Sequence, residues 1–193
     1  MKNILIINAH PDAESFGNAI ADAYENGVKE MGAKSQRLNL HELNFSMNLQ
    51  HGYRKQTDLE PDLIKAQDAI SFADHLVFIY PTWWGTFPAI LKGFIDRVFL
   101  PGFAFKYRED SPFWDKLLKG KSARLITTMD TPAWYYRLFH HSVGHRAMKK
   151  STLEFTGIKP VKVTSFQPIR SSTPRKRKNW LQNLQRLGQR DSI

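Results

Sequence analysis

Three short stretches of the chain concentrate side chains able to grip and polarise a small ligand. The first is Asn8-Ala9-His10-Pro11-Asp12-Ala13-Glu14-Ser15-Phe16-Gly17-Asn18, a polar loop that leads into a helix start. Free N–H groups at a helix N-terminus, the helix dipole, the Ser15 hydroxyl and the Asn18 amide could hold a phosphate, with His10 as a further donor. The competing reading makes Ser15 a plain helix cap and His10 an incidental loop residue. The loop is neither G-x-x-x-x-G-K-[ST] nor G-x-G-x-x-G, which argues against a nucleotide triphosphatase and a glycine-fingerprint dehydrogenase. The second stretch is Pro81-Thr82-Trp83-Trp84-Gly85-Thr86-Phe87-Pro88, with two Trp and one Phe within five residues. Such a cluster could bury an aromatic ring while loop N–H groups bond its polar edge. Core packing is the rival, but neighbours on one turn cannot easily both enter one core. The third is Thr127-Thr128-Met129-Asp130-Thr131-Pro132, followed by Trp134, Tyr135, Tyr136, His140 and His141, where Tyr and His could donate or relay protons. No Asp/Glu–His spacing here suggests a metal site. A further aromatic cluster, Gly102-Phe103-Ala104-Phe105-Lys106-Tyr107, reads as a loop that covers a pocket, builds a dimer contact or packs in the core.

The elements that must position these loops follow from apolar patterning. Ile4-Leu5-Ile6-Ile7 suits a strand covered on both faces. Residues 16–31 read as a helix closed by Gly32, residues 36–40 as a strand near an edge, and residues 61–73 as a helix opened by Pro61. Residues 76–80 form a third strand. Leu91, Phe94, Ile95 and Val98 recur at helical spacing within 88–99. Residues 123–128 and 161–166 supply strands four and five, with a helix around 142–156 between them. A last helix runs from 174 to about 187, with Thr173 as N-cap and Pro174 in its first turn. This alternation predicts one α/β domain over residues 1–193. Its parallel sheet has right-handed crossovers and carries its ligand beyond the carboxyl ends of the strands. All three loops follow such an end. A loop suited to phosphate, an aromatic platform and a polar loop together fit a phosphorylated planar heterocycle, and a flavin nucleotide meets that description.

Composition agrees. The chain has 193 residues, 41% hydrophobic and 24% charged, enough to build a core. With no Cys there is no disulfide scaffold, thiolate zinc site, cysteine-ligated iron–sulfur cluster or catalytic thiol, and a reducing compartment, the cytoplasm, is expected. The apolar run at 4–7 is too short for a signal peptide, and no stretch is long enough to span a membrane. Net charge is +10, and residues 170–193 hold seven basic residues against one acid. That segment could attract an anionic partner or simply form a solvated helix face. It lacks interleaved aromatics, so nucleic acid is not expected.

The run Tyr80-Pro81-Thr82-Trp83-Trp84-Gly85-Thr86-Phe87-Pro88-Ala89-Ile90-Leu91-Lys92-Gly93-Phe94-Ile95-Asp96-Arg97-Val98-Phe99, with Gly102-Phe103-Ala104-Phe105 after it, resembles the NAD(P)H:quinone oxidoreductase family of flavodoxin-like flavoproteins. The His10…Ser15-Phe16 loop and Thr127-Thr128 match it in order and place. The resemblance implies a five-stranded parallel sheet in the order 2-1-3-4-5 and hydride transfer from NAD(P)H through a bound flavin to a quinone-like acceptor. It implies FAD, with FMN as the alternative, and a homodimer. It assigns His10, Ser15, Phe16 and Asn18 to the flavin phosphates and ribityl chain, and Gln67 to a further flavin contact. Pro81, Thr82, Trp83, Trp84 and Gly85 would line the isoalloxazine, and Thr127, Thr128, Met129 and Asp130 its pyrimidine side. Phe105 and Tyr107 would cover a neighbour's substrate pocket, and Tyr135 and His141 would stabilise charge on the reduced flavin. Two departures stand out. Gly17 intervenes before Asn18, and Met129-Asp130 replace a Gly pair, which puts a carboxylate near the flavin edge. The rival readings are a flavodoxin-type electron carrier and a regulatory partner of a membrane transporter, for which the basic segment could dock to a membrane protein.

Overall fold

Apolar runs with no polar face require cover on both sides, and the architecture supplies it. The structure, a computed structural model, describes every residue except Gln56. In chain order it has β1 (Asn3–Asn8), α1 (Phe16–Glu30), β2 (Lys34–Asn39), α2 (Pro61–Phe72), β3 (His75–Pro81), α3 (Ala89–Val98), β4 (Phe105–Tyr107), β5 (Trp114–Lys116), β6 (Ser122–Thr128), α4 (Ala133–Leu138), α5 (Val143–Arg146), a π-helical stretch Ala147–Leu153, α6 (Glu154–Thr156), β7 (Val161–Phe166) and α7 (Pro174–Asp191). Five strands form one sheet in the order β2-β1-β3-β6-β7, every pair parallel. This is the expected 2-1-3-4-5 order with the strands renumbered. On one face Leu5, Ile7, Phe78, Tyr80 and Leu125 pack under α2, α3 and the π-helical stretch. On the other, Ile4, Ile6, Val77, Ile79 and Ile126 meet Ile20, Tyr24 and Val28 of α1 and Leu184 of α7. No helix among the described residues is long and apolar enough to cross a membrane.

Three features depart from the sequence reading. Residues 105–107 pair with 114–116 as an antiparallel hairpin rather than lying in a plain loop. Each strand is three residues long, too short to show a period, and the hairpin is held by tertiary packing: Trp114 stacks on Phe155 at 4.3 Å and 21°. A separate short α4 precedes the helix expected around 142–156, whose middle is wound as π-helix. The last helix runs one turn further than 187. Gly27 and Gly188 let the backbones of α1 and α7 touch, since a Cβ on either would collide with a carbonyl of the facing helix. The added turn also carries Asp191 to a buried partner.

That partner is Arg124. Its NH2 donates to Asp191 Oδ1 at 2.8 Å, its Nε donates to Oδ2, and its NH1 donates to Thr164 Oγ1 at 2.9 Å. Tyr24 OH donates to Asp191 Oδ2 at 2.8 Å, and His75 Nε2 lies 3.6 Å from it. Burial alone would raise the Asp191 carboxyl, but the hydrogen bonds and charge of Arg124 hold it well below the usual carboxylate range. One acid of the basic C-terminal segment is therefore a core residue that clamps α7 to the sheet. Asp191→Asn leaves Arg124 buried without its counter-charge and should cost about 3 kcal/mol of stability in denaturant unfolding. Because the folded pKa is depressed, the Asp191 contribution is complete above about pH 4 and is lost as pH falls further. In the Asn variant that acid-side loss should shrink.

Candidate functional site

A parallel sheet delivers the carboxyl ends of all its strands to one rim. At the end of β1 the chain passes through 9–15 into α1. Ser15 has the extended backbone of an N-cap, yet its hydroxyl makes no capping bond. Its Oγ is buried with no hydrogen-bond partner among the described residues, and α1 has no acidic side chain in its first turn. A buried hydroxyl without a partner is costly, so this one fits a ligand oxygen better than a plain cap. A Cβ on Gly17 would press on Ser15 Oγ at 3.1 Å and on His10 Cβ at 3.3 Å, so the loop is closely folded around the helix start. His10 Nδ1 accepts from the Asp12 N–H at 3.1 Å, which leaves the ring proton on Nε2 as a donor. Burial lowers the His10 pKa, while the Asp12 carboxylate and backbone push it back up. The Asn18 side chain is committed to the protein. Its Nδ2 donates to the Ala13 carbonyl, and its Oδ1 accepts from Asn8 Nδ2 and from Arg37 NH2 at 2.9 Å. It shapes the loop and offers no free amide.

After β3 the chain makes a tight turn closed at both ends: Trp83 N–H donates to Thr86 O at 3.0 Å and Thr86 N–H to Trp83 O at 2.9 Å. Its two central residues, Trp84 (φ 51°) and Gly85 (φ 77°), are both left-handed. This is a type I′ turn, which favours Asn-Gly and strains a bulky residue at its first central position. Trp84 is nonetheless there and fully exposed, while Trp83 is about half-exposed and meets His10 edge-on at 5.8 Å and 76°. Neither indole is core. Strain with full exposure of a large aromatic is a functional signature rather than a packing solution.

After β6, the Thr82 N–H donates to Thr128 O at 2.7 Å and locks the second and third loops together. Asp130 Oδ1 accepts the Arg170 N–H at 2.7 Å, so this carboxylate pins the segment after β7. The three loops enclose an open cleft of about 220 Å³ lined by His10, Phe16, Gly17, Pro81, Thr82, Trp83, Thr128, Met129, Asp130 and Ile169. Thr82 Oγ1, like Ser15 Oγ, is buried without a partner among the described residues. Two orphaned hydroxyls, a helix N-terminus and an aromatic platform are the donor set and shape that a flavin nucleotide needs, and the cleft fits that group.

Other expected residues lie elsewhere in this protomer. Gln67 Nε2 donates to Val98 O at 2.9 Å, because α2 and α3 pack side by side and the amide ties them. Phe105 is buried edge-on against Phe155 at 5.2 Å, and Tyr107 stands exposed beside it. Both line a second cleft of about 220 Å³ against α3 and the π-helical stretch. Tyr135 stacks on Phe139 at 4.8 Å and faces outward, and His141 is exposed with φ 49°. Thr127 points to the opposite face of β6 from Thr128, a consequence of strand alternation. Sequence reasoning passed over Tyr136 as a position of consequence. Its OH donates to Gly85 O at 2.8 Å and accepts from Gly144 N at 3.0 Å, fastening the tryptophan turn from behind. With α4 only six residues long, periodicity could not separate buried Tyr136 from Tyr135.

A model of the flavodoxin-like fold matches residues 2–190. The chain belongs to that family. Within it, a Haemophilus influenzae protein named an uncharacterized NAD(P)H oxidoreductase is 33% identical over 186 residues, covering 93% of this chain and 91% of its own. Human ribosyldihydronicotinamide dehydrogenase [quinone] is 30% identical over 226 residues, covering 100% of this chain and 94% of its own. Among solved structures, the NAD(P)H:quinone oxidoreductase from Methanothermobacter marburgensis superposes with a TM-score of 0.85 at 25% identity, covering 97% of this chain and 98% of that one. In this flavodoxin-like chain the strained Trp84 gives a direct test. Trp84→Asn supplies the residue a type I′ turn prefers and should raise stability by about 1 kcal/mol in thermal or denaturant unfolding. The same variant should bind FMN or FAD more weakly by about tenfold, read by fluorescence titration.

Proposed function

We propose that the chain is a flavin-dependent NAD(P)H:quinone oxidoreductase. The observation that carries this reading is a cleft lined by His10, Thr82 and Trp83 in which Thr82 Oγ1 is buried without a partner among the described residues, with the equally partnerless Ser15 Oγ and the exposed, strained Trp84 in the same loops. A bound flavin supplies the centre that accepts hydride from NAD(P)H and delivers it to a quinone. The chain's own residues hold and orient. Ser15 and the first N–H groups of α1 bind phosphate oxygen, and His10 Nε2–H adds a donor. Thr82 and the Thr128–Asp130 wall meet the polar edge of the ring system, and Trp83 and Trp84 bound its flat side. Nicotinamide and quinone then use the same open face in turn, which gives ping-pong kinetics.

Within this reading FAD is the cofactor, with FMN the alternative. Support comes from the basic start of α7, where Arg177 lies 5.3 Å over the Phe16 ring at the rim of the cleft and could meet a second phosphate. The substrate contacts of Phe105 and Tyr107 belong to a homodimer, in which a second copy completes each cleft, and the same reading keeps Gln67 as a flavin contact and Tyr135 and His141 as groups that stabilise charge on the reduced flavin. Exposed Trp84, Trp134, Phe139 and Tyr107 give such a dimer apolar surface to bury. The compartment proposed is the cytoplasm. Anaerobic addition of NADH or NADPH to the flavin-loaded protein should bleach its yellow colour, and a quinone should restore it. A loaded protein whose spectrum ignores both nicotinamides would overturn the reading.

A further inference from the structure

The segment between α4 and α5 is strained and polar in a way that flavin binding alone does not require. His141 (φ 49°) and Ser142 (φ 50°) are consecutive left-handed residues, neither of them glycine. Such conformations persist only where the surroundings enforce them. Their effect is to turn the chain so that Gly144 and His145 enter the end of the sheet. Gly144 presses on the tryptophan turn: a Cβ there would stand 2.6 Å from Gly85 O and 2.9 Å from Thr86 Cα. The next residue reaches the other loop. His145 Nε2 lies 3.0 Å from Thr127 Oγ1, Thr127 Oγ1 lies 2.8 Å from Ser165 Oγ, and Ser165 Oγ lies 3.4 Å from His145 Nε2. The three polar groups close a small hydrogen-bonded ring where β6 and β7 leave the sheet. Toward the other end of these strands the same face carries Ala123, Leu125, Val161 and Val163. Apolar residues would fill the space without the desolvation cost of three polar groups, so the ring must be explained by what it fixes.

We propose that His145 is a positioning residue: through Thr127 it sets where the Thr128–Asp130 wall stands, while Gly144 and Tyr136 set the tryptophan turn, so that residues 141–145 together with Tyr136 form one bracket holding the two flavin-facing loops at a fixed separation. Dispersion contacts tolerate sliding, whereas a closed ring of hydrogen bonds has one low-energy geometry. The imidazole touches neither cofactor nor substrate and acts only through Thr127. Its ring packs edge-on against Tyr136 at 5.1 Å, which joins the two halves of the bracket.

This inference rests on the flavin reading, and one set of measurements separates the two. Wild type, His145→Leu, His145→Gln and Ser165→Ala are each loaded with flavin and compared for flavin dissociation constant, visible circular dichroism, and kcat and KM with NAD(P)H and a quinone. His145→Leu should weaken flavin binding about tenfold, alter the visible dichroism and lower kcat, with KM for the quinone nearly unchanged. His145→Gln, which can still bond Thr127, should recover to within about threefold of wild type. Ser165→Ala should fall between them, and it decides the matter if the Leu variant does not fold. The inference is overturned if His145→Leu and Ser165→Ala both load and turn over like wild type, or if His145→Gln is as impaired as His145→Leu. A wild-type protein that takes up no flavin overturns the function instead, and this inference with it.

Discussion

The Thr82 N–H donating to the Thr128 carbonyl at 2.7 Å is the rung on which the site depends. It extends the parallel β3–β6 ladder one step past Pro81↔Thr128, where the strands would otherwise splay. Because β3 and β6 are neighbours at the centre of the sheet, this one bond fixes the tryptophan turn and the Thr128–Asp130 wall to a common frame. The loop after β1 joins the frame through Ala9, whose N–H donates to Ile79 O at 2.8 Å. Three loops far apart in sequence thus share one rigid rim, and the cleft is a property of sheet register before it is a property of any side chain.

Around that rim the molecule departs from what stability alone would select. A fully exposed Trp sits in a left-handed turn position, two left-handed residues precede α5, and the Ser15 and Thr82 hydroxyls are buried without partners among the described residues. Each is unfavourable by itself. The compensation lies in apolar layers on both faces of the sheet and in the Arg124–Asp191 clamp, which secures α7 at the opposite end of the strands. Strained Trp84 and the partnerless Ser15 and Thr82 hydroxyls lie in the loops of the carboxyl rim, while partnerless His75 Nε2 and Arg97 Nε lie away from it.

Much of this was readable from residue types. The continuous apolar strands at 4–7 and 76–80 announced a sheet covered on both faces, and their alternation with helical segments announced that it is parallel, while the order of the five strands followed only from the family resemblance. The loops after β1, β3 and β6 were identifiable as ligand-facing because parallel topology leaves them nowhere else to be. What stayed hidden depends on tertiary contact. The β4–β5 hairpin is held by Trp114 and Phe155, 41 residues apart. Asn18 looks like a free amide until Ala13, Asn8 and Arg37 are folded around it. Asp130 looks like a charge aimed at the ligand until Arg170 N–H is seen to claim one oxygen. Tyr136 and His145 become visible only when the turn at 141–142 reverses the chain, and left-handed backbone at His141 and Ser142 has no sequence signal of the kind glycine gives.

The central claim is that the rim formed by β1, β3 and β6 binds a flavin by its phosphate and by its ring system. Titration of flavin-free protein with FMN and with FAD, followed by tryptophan fluorescence and gel filtration, tests it most directly. The account predicts quenching of Trp83 and Trp84 that saturates at one flavin per chain, with the flavin retained on the column. Folded protein whose fluorescence is unchanged by excess of either flavin, and which elutes without it, would contradict the account.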